Sequence, residues 1–132
     1  MDAKLRPSAV QFAGMVAQIT RDHDATIQAA AAGPPQRIDG YTLGVIPNLD
    51  GPPPHRGEMH PDGDEILYLV SGAIEVVFDD GNEEKIGAET SVVLRGGDAI
   101  VVPRGVWHQV NVIEPAYFVH LTPGPNGPAR PL

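Results

Sequence analysis

The stretch that decides the fold runs Glu58-Met59-His60-Pro61-Asp62-Gly63-Asp64-Glu65-Ile66-Leu67-Tyr68-Leu69-Val70-Ser71-Gly72. It gathers metal-capable side chains just ahead of an apolar, β-branched run that closes on a turn glycine. A second stretch answers it: Gly97-Asp98-Ala99-Ile100-Val101-Val102-Pro103-Arg104-Gly105-Val106-Trp107-His108 sets one more histidine just after a Pro-x-Gly turn and inside another strand-like run. Around these stretches, short β-branched runs alternate with turn residues. The strands expected are 40–46, 66–70, 73–78, 90–94, 99–102, 106–113 and 116–121, with turns at Ser71-Gly72, at Asp79-Asp80-Gly81-Asn82, at Arg95-Gly96-Gly97-Asp98 and at Pro103-Arg104-Gly105. Strands at such regular spacing, with no long helical period between them, indicate an antiparallel sandwich or barrel.

The flanks read differently. In residues 1–39 the apolar positions Val10, Phe12, Met15, Val16 and Ile19 fit neither period, and Asp24 is placed to cap a short alanine-rich helix ending at Gly33 and Pro34. Such a helix is marginal in isolation and has to dock on something. Pro47 to Pro54 reads as a stiff connection. The Pro/Gly-rich tail, 122–132, reads as a surface arm or an arm laid across a neighbour. One domain over 1–132 accommodates all of this, with the barrel at 40–121.

Composition narrows the functional classes. The chain has 132 residues, a net charge of −8 and no cysteine, so disulfides and thiolate ligands are excluded. An acidic surface without a basic footprint disfavours nucleic acid and anionic membrane as partners. No run approaches the ~20 apolar residues of a membrane span, and a cytoplasmic location is the default expectation. No nucleophile motif, phosphate loop or dinucleotide fingerprint is present.

Side chains two apart in a strand share a face. Glu58 and His60 therefore share one if 58–60 is extended. Glu65 lines up with Leu67 and Leu69, and His108 with Val106 and Val110. A carboxylate or imidazole in line with core residues is costly to bury unless it is paired or coordinated. Glu58, His60, Glu65 and His108 are accordingly the candidate metal ligands, with His55 an alternative fourth. Two imidazoles and one or two carboxylates suit one divalent transition metal, Fe, Mn, Ni, Co or Zn. Read singly, His60 is better explained as a loop histidine and His108 as a half-buried packing residue beside Trp107. It is the joint spacing that favours ligands. Asp62 and Asp64 read as solvated turn residues. The cluster Asp79, Asp80, Glu83 and Glu84 reads as a solvated hairpin tip, because the alternating spacing of a calcium loop is absent.

The two stretches resemble the paired motifs of the cupin family, G-x5-H-x-H-x3-4-E-x6-G and G-x5-P-x-G-x2-H-x3-N. His60, Glu65 and Gly72 match the first, and Gly97, Pro103, Gly105 and His108 the second. Three positions depart. Glu58 stands where the first histidine belongs, Pro52 holds the opening glycine position with Gly51 one residue early, and Asn111 follows His108 one residue too soon. The motifs span Pro52 to Asn111. The resemblance implies a jelly-roll-like barrel with an interior metal centre, acting on a small oxygen-rich molecule as a dioxygenase, lyase or decarboxylase, or isomerase. The alternative is a non-catalytic small-molecule binding or sensing module on the same barrel. It also implies a homodimer paired through outer sheet faces, and the apolar Phe12, Val16, Ile19 and Leu132 add to that expectation. His120, on the last strand, is a candidate hydrogen-bond partner behind the ligands or an acid-base group. Arg104 and Arg56 flank the motifs and could hold a substrate carboxylate.

Overall fold

The computed structural model describes residues 7–32 and 36–132. Seven strands form one antiparallel sheet bent into a barrel: β1 Met15–Thr20, β2 Ala25–Ala29, β3 Gly40–Leu49, β4 Glu65–Phe78, β5 Ser91–Arg95, β6 Ala99–Val102 and β7 His108–Gly124, with one short helix, α1, at Glu83–Ile86. The strand order is β2-β1-β3-β7-β4-β5, and β6 also pairs with β4. The all-β antiparallel barrel expected from the sequence is the fold observed.

The long seam between β4 and β7 organises the molecule, running from Ile66↔Leu121 to Phe78↔His108. The alternation in β4 sets its faces. Glu65, Leu67 and Leu69 are buried while Ile66, Tyr68 and Val70 are exposed. Leu67, Leu69, Ile74, Val76, Phe78, Leu94, Val102, Val106, Ala116 and Phe118 form the core. Full burial of a Leu, Ile or Phe side chain contributes about 1.5–3 kcal/mol, so this cluster is what holds the barrel closed.

The structure differs from the sequence reading at several points. Runs 66–70 and 73–78 are one strand, and Ser71-Gly72 is a bulge in it rather than a turn, with the register shifting on both sides of Ser71. Gly72 has φ 86°, and a Cβ there would fall 2.2 Å from the Pro115 carbonyl oxygen. Only glycine lets the two long strands bend together at this point. Likewise 106–113 and 116–121 merge into β7, which extends to Gly124, and β3 runs through Pro47 to Leu49, with a register irregularity between Ile46 and Leu49.

The helix expected after Asp24 is strand β2. Thr26 and Ile27 are β-branched, and the segment folds back from the turn at Arg21 and Asp22 to pair with β1 from Ile19↔Ala25 to Met15↔Ala29. Sheet pairing overrides the local helical preference of alanine. Gly33 and Pro34, the expected stop signals, lie outside the described residues. The single helix among the described residues is α1, within the segment read as a hairpin tip. Its Glu83 and Glu84 are exposed, as expected of a solvated connection.

The tail lies against its own barrel. Met59 N–H donates to the Pro128 carbonyl, Arg130 N–H to the Gly57 carbonyl, and Arg56 N–H to the Arg130 carbonyl. The Arg130 guanidinium ion-pairs with Asp79 at 2.9 Å and lies over the Trp107 ring, 4.3 Å from its centroid. Among the described residues no helix is long and apolar enough to cross a membrane.

Candidate metal centre

Three segments meet at one end of the barrel. Glu65 opens β4 with its side chain on the core face, and His108 opens β7. Residues 57–59 run between β7 and the tail, where Glu58 forms isolated bridges with both His108 and Ala129. The exchange of Glu58 N–H to the His108 carbonyl at 2.9 Å and His108 N–H to the Glu58 carbonyl at 3.0 Å ties the two motif segments together directly.

Glu58, His60, Glu65 and His108 each aim one donor atom at a common point, all within 4.8 Å of one another. His108 Nε2 lies 3.0 Å from Glu65 Oε1 and 3.9 Å from Glu58 Oε1. His60 Nε2 lies 3.4 Å from Glu58 Oε1 and 3.4 Å from Glu65 Oε2. His60, Glu65 and His108 are buried, with exposures of 3%, 2% and 2%, while Glu58 is partly open to solvent. These are the four residues the sequence singled out, and the fold brings all four together. His55 stands outside the group. Its Nε2 contacts Glu58 Oε2 at 3.5 Å, and its Nδ1 accepts the Gly57 N–H.

The donor set fits a metal ion on two observations. Both ring nitrogens of His60 are buried without a hydrogen bond; its contacts to the carboxylates are long and off-line, ionic rather than hydrogen-bonded. An imidazole so placed calls for a cation between itself and the carboxylates. In His108, Nδ1 donates to the Val106 carbonyl at 3.0 Å. That bond leaves Nε2 facing the cluster, where it donates to Glu65 Oε1 at 3.0 Å and would offer its lone pair to an ion in place of that proton.

The electrostatics of the metal-free group follow from its crowding. Burial alone would lower the pKa of His60, but the two carboxylates beside it outweigh burial and raise it to about 9. Burial pushes Glu65 and Glu58 upward, and the neighbouring imidazoles outweigh it, holding both below the ordinary carboxylate value. A proton on His60 thus occupies the place a metal ion would take.

A further chain of contacts stands behind Glu65. Thr122 Oγ1 donates to Glu65 Oε2 at 2.6 Å. Its single proton is thereby used, so His120 Nδ1, 2.8 Å away, is the donor to Thr122. Burial keeps His120 below the usual histidine pKa; the charge of Glu65 opposes this and that of Arg37 reinforces it. His120 reaches Glu65 only through Thr122, a residue the sequence reading missed although strand parity with His120 was the signal for it. Arg104 and Arg56 do not reach the group. Arg104 is exposed and enters the structure through its backbone, donating to Asp64 and accepting from Lys85 Nζ, while Arg56 Nε donates to the Pro131 carbonyl. Asp62 and Asp64, read as free turn residues, each hold a distant loop by accepting the backbone N–H of Asn126 and Arg104 respectively.

An antiparallel barrel carrying a His/Glu cluster between two spaced motifs defines a β-barrel protein with a candidate metal centre. The family model described as "Cupin domain" matches residues 45–122, and the chain belongs to that family. No protein of curated function matches the sequence. Among solved structures, an uncharacterised protein with a double-stranded β-helix domain from Klebsiella pneumoniae is 20% identical, with a TM-score of 0.54 over 73% of this chain and 79% of that one. A mutant of Bacillus subtilis oxalate decarboxylase is 18% identical, with a TM-score of 0.53 over 67% of this chain and 23% of that one. A cupin-2 domain protein from Shewanella frigidimarina is 21% identical, with a TM-score of 0.46 over 67% and 74%. The first two share the fold.

Proposed function

We propose that this cupin holds one divalent transition metal through Glu58, His60, Glu65 and His108 and is an enzyme acting on a small, oxygen-rich organic molecule. The observation that carries the reading is the convergence of four donor atoms around the hydrogen-bond-free Nε2 of a buried histidine. Two carboxylates balance the charge of a divalent ion. Mixed nitrogen and oxygen ligands suit Fe, Mn, Co, Ni or Zn. Bacillus subtilis oxalate decarboxylase carries Mn(II) centres. When bound, such an ion supplies Lewis acidity toward a carboxylate, enol or diol, or an O2 site if it is iron. The chain's own contribution is to orient His108 through the Val106 carbonyl, to hold Glu65 through Thr122, and to keep water from three of the four ligands by burial. Dioxygenase, lyase or decarboxylase, and isomerase chemistry are all compatible with such a centre.

A second reading, a non-catalytic binding or sensing module, draws support from Glu58 standing where the family motif has its first histidine. The homodimer belongs to the same proposal. Its support is the apolar outer face, where Val101, Ile66, Leu121 and Leu43 lie side by side across β6, β4, β7 and β3, with Ile66 42% and Val101 57% exposed.

The test is metal analysis of protein purified without chelator, followed by melting with and without chelator. About one equivalent of metal and a lower melting temperature after chelation are expected, because an ion that binds only the folded barrel stabilises it by mass action. Metal content near zero after reconstitution with each of the five ions would defeat the metal reading.

A further inference from the structure

Beside the metal centre, the inner face of β3 and β7 is polar. Thr42 pairs with Thr122 and Gly44 with His120; Thr42, Thr122 and His120 are buried, with exposures of 1%, 0% and 9%. Thr122 and His120 are accounted for by the chain leading to Glu65. Thr42 is not: its Oγ1 is buried with no hydrogen-bond partner. An unsatisfied buried hydroxyl costs roughly 1–3 kcal/mol and asks for an explanation.

A second unpartnered group lies close by. Gly124 shares the inward parity of Thr122, and a Cβ there would fall 2.9 Å from Arg37 Cβ and 2.5 Å from the Ile38 carbonyl oxygen. Residues 37–38 therefore cross the inner side of the sheet just beyond the Thr42–Thr122 pair, and the absence of a side chain at Gly124 is what admits them. Nη1 of Arg37 is buried without an acceptor, and the charge of this guanidinium is felt at His120. Among the described residues no carboxylate pairs with it. Glu58 and Glu65 would together neutralise a divalent ion, which leaves Arg37 a positive charge with no carboxylate partner among the described residues.

We propose that Arg37 and Thr42 form an anion subsite for the carboxylate of a small substrate, beside the metal centre. A guanidinium N–H and a hydroxyl are both donors, and a carboxylate, an acceptor only, satisfies both. The subsite rests on the proposed enzymatic reading for its purpose and on the two orphaned donors for its existence. It assigns a substrate class, a small carboxylic acid, and it gives a role to a segment that lies outside both cupin motifs.

The test measures acetate binding to the metal-loaded protein by calorimetry, with acetamide as the neutral control and metal content determined on the same samples. Wild-type protein should bind acetate and not acetamide. Arg37→Gln should weaken acetate binding roughly 10- to 100-fold, the loss of a charge-assisted hydrogen bond, and Thr42→Val roughly 3- to 10-fold. Thr42→Val preserves shape, so a normal melting temperature in that variant separates lost binding from misfolding. Full metal content with acetate affinity unchanged in both variants would overturn the subsite, because acetate would then be bound by the ion alone. Wild-type protein that takes up no metal on reconstitution yet binds acetate in an Arg37-dependent way would defeat the metal reading and leave the subsite standing.

Discussion

Glu58 and Glu65 belong to one acidic group of this chain, and Asp79, Asp80, Glu83 and Glu84 to another. The first is packed against imidazoles at 3.0–3.9 Å, with Glu65 buried. The second surrounds an exposed connection whose firmest contact is the Asp79–Arg130 pair, both partners more than 40% exposed. Side-chain chemistry is nearly the same in both. What differs is whether strand parity turns the carboxylates inward, where they require a cation, or outward, where water serves. Acidic residues signal a metal site only when the backbone denies them solvent.

The largest effect that sharpens this contrast is expected from His108→Ala. Removing the imidazole that a backbone carbonyl orients should bring metal content to background. Retention of wild-type metal in that variant would place the ion elsewhere.

Proton competition comes next. In metal-free protein His60 titrates at about 9 instead of 6.5, so its stabilising contribution is fully present below 6.5 and fades as pH rises through about 9. Glu65 titrates below 4.5, so its contribution is present above 4.5 and is lost as pH falls further. The metal-free barrel should be most stable between these limits. A coordinating imidazole must lose its proton. Metal uptake at about pH 7.5 should therefore release close to one proton, and affinity should climb about tenfold per pH unit up to about 9. Calorimetry in two buffers of different ionisation enthalpy measures the released proton directly, and a value of zero would remove His60 from the ligand set.

A smaller effect is expected from Thr122→Val, which cuts Glu65 Oε2 from its donor. Partners of this kind typically contribute 10- to 100-fold in metal affinity. A competition titration giving the wild-type constant would show that Glu65 is held by packing alone.

The smallest effect belongs to the other acidic group. Asp79→Asn should leave metal content unchanged, since exposed ion pairs contribute little. A fall in metal content there would show that the tail, which Asp79 anchors through Arg130, also sets the position of Glu58.

The candidate centre was legible in the sequence because Glu65 and His108 fall in strand runs, where period-two parity applies, and motif spacing ties Glu58 and His60 to them. His60, Glu65 and His108 needed no knowledge of the chain path. Thr122 was readable by the same parity and went unread. Arg37 was not readable, because its buried Nη1 belongs to an irregular segment whose course depends on the absence of a side chain 87 residues later, at Gly124. The strand at Ala25–Ala29 was hidden for a different reason. Its alanines favour helix locally, and only pairing with β1 makes the extended form the better one. Gly72 misled as a turn signal because a bulge and a turn both demand a positive φ.

The seam that joins β4 to β7 also bears on time. Glu65 and His108 lie 43 residues apart, and Glu65 and Thr122 lie 57 apart. Neither contact can form until distant segments have met, and pairings of such long range are the slow part of folding a barrel. The ligand group is therefore expected to assemble late, after the rate-limiting encounter of the strands. An ion captured at that stage has no hold on the transition state for folding. Metal should lengthen the lifetime of the native barrel while leaving its refolding rate where it was.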